Sequence, residues 1–152
     1  MENKAAFYNL LTRQALALIE GEPNLIANLA NVSALLYQEL ECINWAGFYL
    51  DDGNELVLGP FQGKPACVRI PYGKGVCGTA FSEDSVLRIE DVHLFEGHIA
   101  CDAASNSEVV LPLYVKGKLV GVLDIDSPEK ARFDEYDETG LTLLVNELQK
   151  HL

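Results

Sequence analysis

The sequence has few cationic residues and no long apolar segment. Lys and Arg together number 11 against 23 Asp and Glu, which gives a formal net charge of −12. Nucleic acids and anionic lipids are bound by cationic surfaces, so the charge balance argues against both as partners. No apolar run approaches the roughly 20 residues that span a bilayer, and the first residues lack the apolar core of a signal peptide. We therefore expect no nucleic acid partner, no membrane association and a cytoplasmic location.

Cysteine is also sparse, and its four positions form no Cys-x-x-Cys pair. Disulfide frameworks are rare in the cytosol, so these thiols are better explained as buried, metal-binding or reactive. Cys42, between a predicted helix end and an apolar strand, fits a buried and inert residue. A zinc site built from Cys77, His93, His98 and Cys101 would lack the paired knuckles of structural zinc sites, so we expect no metal.

The hydrophobic pattern predicts a single α+β domain over residues 1–152. Apolar residues at helical spacing predict helices at about residues 3–20, 24–41, 75–82 and 134–152, the last capped by Asp134. Aromatic-rich or alternating segments predict strands at about residues 43–50, 55–61, 67–70, 86–90, 109–115 and 119–125. Helices at the ends and mostly antiparallel strands between them indicate a sheet with helices packed on it.

A loop-rich stretch between residues 63 and 107 holds three of the four cysteines. Loops this long in compact domains are usually functional or disordered, and this one is too apolar for disorder. Cys101 lies there among small and polar residues, where His98 could lower its pKa and Asp102 would raise it. Cys67 and Cys77 flank a bend that could approach Cys101, but a disulfide needs Cα atoms within about 7 Å, which sequence does not establish. Cys77 could equally pack a short helix against the sheet.

Two acidic residues interrupt an otherwise apolar strand. Asp124 and Asp126 are two positions apart and so project from the same face, where burial is costly unless they are paired or used. A three-residue loop at 116–118 would place Glu108 opposite Asp126, whereas a two-residue loop would put it on the other face. In the first register, repulsion among three carboxyls should raise at least one pKa enough to hold a proton near neutral pH. The alternative is an edge strand with solvated acids.

Two aromatic residues flank a glycine on the first predicted strand. Trp45, Gly47 and Tyr49 share one face because side chains alternate along a strand. They could be ordinary core residues. They could also form an apolar slot for a small methyl group, with the glycine leaving the space.

Five segments together resemble the free methionine-(R)-sulfoxide reductases, which are small GAF-domain enzymes. The segments are NWAGFYL (44–50), LGPFQG (58–63), GVCGTA (75–80), GHIACDAASNSE (97–108) and GVLDIDS (121–127). The resemblance covers essentially the whole chain. It implies a GAF fold with a central antiparallel sheet, terminal helices packed on it, and a pocket closed by the long loop.

The resemblance also implies thiol-dependent reduction of free L-methionine (R)-sulfoxide. Cys101 would be the nucleophile and Cys67 would resolve its sulfenic acid, while Cys77 is linked in this family to an alternative disulfide. No bound cofactor is implied; thioredoxin would be the external reductant, and the enzyme would be a homodimer.

The remaining site residues implied by the resemblance bind the substrate. Trp45 and Tyr49 would hold its methyl group, and Glu108, Asp124 and Asp126 would bind its polar groups. We predict that Asp126 protonates the sulfoxide oxygen, because positioned acid catalysis makes oxygen a better leaving group. The rival interpretation is a non-catalytic GAF module that senses a small ligand.

Overall fold

Among the residues that the structure describes, six antiparallel strands form a sheet in the order β3-β2-β1-β6-β5-β4. A computed structural model describes residues 2–99 and 104–152. The strands are β1 (Trp45–Asp51), β2 (Leu56–Gly63), β3 (Arg69–Ile70), β4 (Leu87–Ile89), β5 (Ser107–Val115) and β6 (Lys118–Ser127). The helices are α1 (Glu2–Ile19), α2 (Leu25–Glu39), α3 (Gly75–Glu83) and α4 (Glu135–Gln149), with a 3-10 turn at Val92–Leu94. The predicted α+β class is confirmed, and the predicted elements lie within a few residues of these bounds.

The sheet is buried on both faces. Ala46 and Phe48 of β1 belong to a core shared with α1, α2 and α4. Trp45 and Tyr49 of the same strand point the other way and pack with Val76 of α3. Because successive side chains alternate between faces, the central strands are apolar almost throughout, and each face meets a different layer.

A buried aspartate joins α1 to the start of α4. Asp137 accepts hydrogen bonds from the Tyr8 hydroxyl at 2.7 Å, Lys4 at 2.7 Å and Arg132 at 3.3 Å. Asp134 accepts hydrogen bonds from the first amides of α4 and completes a capping box with Asp137, so the predicted cap is confirmed. These contacts join α1 to α4 in the helix layer that packs on the sheet face opposite α3.

The turn between β5 and β6 has two residues, which is the shorter of the two loops considered from the sequence. Lys116 and Gly117 both have positive φ angles, 52° and 80°, and Val115 pairs with Lys118. Positive φ at both central residues is typical of the tight hairpin turn that matches strand twist. The three-residue loop is therefore wrong.

A β-bulge restores the register that the shorter turn would have lost. Tyr114 pairs with Leu119 but Leu113 pairs with Gly121, so β6 carries one extra residue at this point. Beyond the bulge Glu108 lies directly opposite Asp126. The strands therefore adopt the first of the two registers considered from the sequence, although the loop is the one that was expected to give the second.

The prediction for Cys42 is also wrong. This residue is exposed, with a left-handed φ of 57°, in the turn between α2 and β1. The chain must reverse here before entering the sheet, which keeps the side chain out of the core.

In the described part of the chain, no helix is long and apolar enough to cross a membrane.

Candidate functional site

A cavity lies on the face of the sheet that carries α3. Six of the eight residues singled out from the sequence line it: Trp45, Tyr49, Cys77, Glu108, Asp124 and Asp126. Cys67 lies beside it, since its carbonyl accepts the Tyr49 hydroxyl at 2.8 Å. Cys101 lies outside the described residues.

Strand register brings the acids together. Asp126 of β6 has Glu108 of β5 on one side and Trp45 of β1 on the other, which makes one row across three strands. Asp124 stands in the next row of the same face. We call Glu108, Asp124 and Asp126 the acid cluster. β6 lies between β1 and β5, so the alternative of a solvated edge strand is excluded.

Asp124 is the most desolvated member of the acid cluster. It is 5% exposed, and among the described residues its Oδ1 atom has no hydrogen-bond partner. Burial, followed by the charges of Asp126 and Glu108, raises the pKa of Asp124 well above its usual range. The prediction that a carboxyl in this group has a raised pKa is confirmed for Asp124.

Cys77 is a buried thiol in the first turn of α3. Its Sγ atom donates to Glu108 Oε2 over 3.8 Å. A helix N-terminus ordinarily favours a thiolate, but burial, followed by the charges of Asp124 and Glu108, raises the pKa of Cys77. Desolvation and like charge therefore outweigh the helix dipole, and Cys77 is held as a neutral thiol. Cys77 therefore both packs α3 against the sheet and lines the cavity.

Tyr49 lies between the acid cluster and Cys67. Burial, followed by the charge of Asp124, raises the pKa of Tyr49, so its hydroxyl stays protonated and donates to the Cys67 carbonyl. Cys67 is disulfide-bonded, whereas Cys42 and Cys77 are free thiols. A displacement of the Cys67 backbone would therefore be transmitted to an aromatic wall of the cavity.

Trp45 forms the other aromatic wall. Its ring is stacked on Tyr49 at 5.9 Å and on Phe61 at 5.1 Å, and its indole N–H donates to the Lys64 carbonyl at 3.1 Å. Of the two interpretations left open by the sequence, the slot beside Gly47 is excluded. A Cβ atom built there would lie 2.3 Å from Phe61 Cβ, so the space is already filled by β2.

The cavity lining also includes His98, which the sequence analysis considered only beside Cys101 and as a zinc ligand. The lining residues that it did not name as parts of the site are Pro65, Ala66, Ile70, Gly75, Val76, Ile99 and Ser105. Ile99 packs over Gly75, where a Cβ atom would approach it within 3.2 Å, and Ser105 Oγ accepts from the Asn44 amide at 3.2 Å. Gly75 has a positive φ of 62°, so the glycine at this position is the sequence signal that could have indicated the close approach.

The residues able to hold a metal differ from those weighed on sequence. His93 Nε2 lies 2.9 Å from Asn106 Oδ1 and its ring packs against His98, so the four-ligand zinc set is not assembled from the described residues. Cys77, Glu108 and Asp124 instead offer ligand atoms that all lie within 4.8 Å of one another.

Comparison with known proteins places the chain in a family. A GAF-domain model matches residues 24–152. A free methionine-R-sulfoxide reductase of Escherichia coli is 63% identical over 150 residues, covering 99% of this chain and 91% of the relative. The chain belongs to the free methionine-R-sulfoxide reductase family. The predicted resemblance and the predicted GAF fold are confirmed.

Two solved structures of the family extend the comparison to the fold. One from Staphylococcus aureus, described as a complex with substrate, has a TM-score of 0.90 at 56% identity and covers 95% of both chains. One from Neisseria meningitidis, also in complex with its substrate, has a TM-score of 0.92 at 44% identity and covers 97% of this chain and 89% of the other. The cavity of this reductase-family chain therefore lies in a fold that two relatives share in their complexes with substrate.

Proposed function

We propose that the chain reduces free L-methionine (R)-sulfoxide to methionine. The observation that carries the proposal is the acid cluster, with its raised Asp124 pKa, beneath an aromatic-walled cavity next to cysteines. Reduction of a sulfoxide needs a thiolate at sulfur and a proton at oxygen. This cavity contains a carboxyl whose raised pKa keeps it protonated, which is unusual outside functional sites. The names of the relatives at high identity support the same activity.

The first step is attack by the Cys101 thiolate on the sulfoxide sulfur. As the S–S bond to substrate forms, the sulfoxide oxygen takes a proton from the acid cluster. Transfer of that hydroxyl to the cysteine sulfur, with both bonding electrons of the S–S bond returning to the substrate, releases methionine and leaves Cys101 as a sulfenic acid. The net change is two-electron oxidation of one thiol and two-electron reduction of the sulfoxide.

The proton belongs to the acid cluster as a unit. Burial raises the pKa of Asp124, and Asp126 stands in the next row of the same sheet face, so a proton held on Asp124 is available to Asp126. We propose that Asp126 presents it to the oxygen, since Asp126 lies between Glu108 and Trp45. Asp124 then keeps the cluster from carrying three charges before substrate arrives.

The walls of the cavity suit a free amino acid. Trp45 and Tyr49 offer apolar ring surface for the thioether methyl group, and Glu108 and Asp124 offer acceptors for the ammonium group. A residue inside a peptide has no such charge, and the acceptors built for it would be left unpaired. This asymmetry supports restriction to the free metabolite.

Cys67 would resolve the sulfenic acid. Its thiol attacks the oxidised sulfur of Cys101, water leaves, and an intramolecular disulfide forms. The disulfide-bonded state of Cys67, beside free Cys42 and Cys77, supports this assignment. An external dithiol, which we propose to be thioredoxin, then reduces the disulfide. Cys77 would contribute only through an alternative disulfide, after leaving Glu108.

Several further features remain proposals from the family resemblance and the composition. We propose that residues 1–152 act as one GAF domain, since α1 is pinned to α4 through Asp137. We also propose a cytoplasmic homodimer that needs no bound cofactor and has neither nucleic acid nor membrane as a partner.

A coupled assay with thioredoxin, thioredoxin reductase and NADPH tests the proposal. Oxidation of NADPH should depend on the R epimer of the free sulfoxide, with little turnover of the S epimer or of a peptide containing methionine sulfoxide. The rival function, a GAF sensor, predicts ligand binding without turnover of either epimer. Absence of R-dependent turnover with a fully reduced preparation would refute the reductase.

A further inference from the structure

Three side chains in the cavity form a ligand set that the reduction does not require as a set. The ligand atoms of Cys77, Glu108 and Asp124 lie within 4.8 Å of one another, and each residue is less than 8% exposed. The sulfur of Cys77 is already 3.8 Å from Glu108 Oε2. Zinc bound by sulfur and oxygen at about 2.0–2.3 Å holds its ligand atoms roughly 3.5 Å apart in a tetrahedron, so small side-chain movements would complete the set.

A second observation independently points to a ligand. Among the described residues, Asp124 Oδ1 has no hydrogen-bond partner although the residue is almost completely buried and lines the cavity. A buried acceptor without a partner is costly, and in native proteins it commonly marks the place of a water molecule, an ion or a substrate group. The Cys77 thiol does not satisfy it, since its Sγ atom donates to Glu108 Oε2.

The chemistry of the three donors narrows the kind of ion. One thiol and two carboxyls do not suit Mg²⁺ or Ca²⁺, which take oxygen ligands only. Sulfur with carboxylate suits borderline divalent ions such as Zn²⁺ and Co²⁺, and the softer Cd²⁺. Three protein ligands leave a fourth position open towards the cavity, as in zinc sites that are not purely structural.

We propose that Cys77, Glu108 and Asp124 bind a divalent cation of the zinc class, and that this cation excludes the substrate from the acid cluster. Binding of the cation stands on the three donors and does not depend on the proposed reaction. Exclusion of the substrate rests on the proposed function, since Glu108 and Asp124 are the residues assigned to the ammonium group. Zinc-class ions would then inhibit the enzyme reversibly and independently of the Cys67 disulfide.

Co²⁺ titration of the oxidised protein tests the site without any turnover. A Cys42→Ser background removes the exposed free thiol, and thiol titration beforehand verifies that Cys67 is oxidised. We expect a thiolate-to-cobalt charge-transfer band that saturates at one ion per chain. Cys77→Ser in this background should abolish the band, and Asp124→Asn should weaken Co²⁺ binding by at least about 10-fold.

Glu83→Gln is the matched control, because it removes one charge from the same helix at an exposed position. It should bind Co²⁺ as the background does, and thermal melting establishes that each variant is folded. No band in the Cys42→Ser protein, or an unchanged band after Cys77→Ser, would overturn the site. A preparation that shows the band but no reductase activity counts against the proposed function and leaves the cation site standing. An active preparation in which Zn²⁺ leaves KM unchanged overturns the exclusion of substrate.

Discussion

Glu108 of β5 and Asp126 of β6 are directly opposite each other in the antiparallel ladder, on the face of the sheet that α3 covers. Like charges in opposing positions destabilise a sheet, and here a third carboxyl, Asp124, lies one row away. The fold therefore accepts an unfavourable group of acids at its centre. Such an arrangement persists where function requires it, and it makes stability sensitive to the protonation of the cluster.

Asp124→Asn should stabilise the fold, increasingly so as pH rises. The folded-state pKa of Asp124 is raised, so its contribution to stability is fully present below the unfolded pKa of about 3.9 and is lost as pH rises through the folded pKa. An amide of the same shape carries no charge at any pH. Urea unfolding should show a gain of about 1–3 kcal/mol at mildly alkaline pH, the usual cost of an unpaired buried polar group, and almost none near pH 4. The same gain at both pH values would contradict a buried proton on Asp124.

Asp134→Asn should show the opposite dependence on pH. Burial acts to raise the pKa of Asp134, but hydrogen bonds from Lys4 and from the Asp137 amide outweigh it and lower this pKa to about 2. Its contribution to stability is present above the unfolded pKa and disappears as pH falls towards about 2. Asparagine retains the cap but loses the charge pair with Lys4, and the side chain is 43% exposed, so we expect a loss of at most about 1 kcal/mol at neutral pH. Unfolding curves that do not converge as pH approaches about 2 would contradict this assignment.

Cysteine variants should separate the proposed roles by stoichiometry. Cys101→Ser should release no methionine, because no thiolate attacks the sulfur. Cys67→Ser should release about one methionine per chain and then stop, since the sulfenic acid cannot be resolved. Cys42→Ser is the control, because Cys42 is exposed and lies outside the cavity lining. Single-turnover quantification of methionine distinguishes these outcomes, and sustained thioredoxin-linked turnover by Cys67→Ser would remove it from the resolving role.

Much of the architecture could be predicted because local signals agreed with the fold. Helical periodicity, the capping residue Asp134 and turn residues between apolar runs all point to elements that the structure contains. The pairing of Glu108 with Asp126 could not be derived securely. A two-residue turn plus a bulge gives the same count as a three-residue loop, and nothing in the apolar run distinguishes them.

Features that depend on distant contacts could not be derived from local pattern. A slot for a methyl group beside Gly47 was one of two interpretations, but Phe61, 14 residues away on the paired strand, fills that space. Cys42 was predicted to be buried because its neighbours are apolar, yet a left-handed turn places it in solvent. The sequence did not show which carboxyl has the raised pKa. Burial beneath α3 raises the pKa of Asp124, and the alternation of side chains along β6 does not reveal that burial.

Gly47→Ala should disturb the aromatic wall of the cavity. The new Cβ atom would lie 2.3 Å from Phe61 Cβ and 2.9 Å from the Pro60 carbonyl oxygen, and neither can move without shifting β2. Overpacking of this kind typically costs about 1–3 kcal/mol, and we expect a loss of stability in that range. Phe61 is stacked on Trp45, which is the single tryptophan, so its fluorescence reports the displacement. KM should rise with the shift in emission, since the wall is proposed to hold the substrate methyl group.

Gly53→Ala is the control, because a Cβ atom there meets nothing within 4 Å and only a positive φ of 95° opposes it. It should lower stability by roughly 1 kcal/mol while leaving the emission and KM unchanged. A Gly47→Ala protein with unaltered emission but a raised KM would contradict the role of this wall in binding.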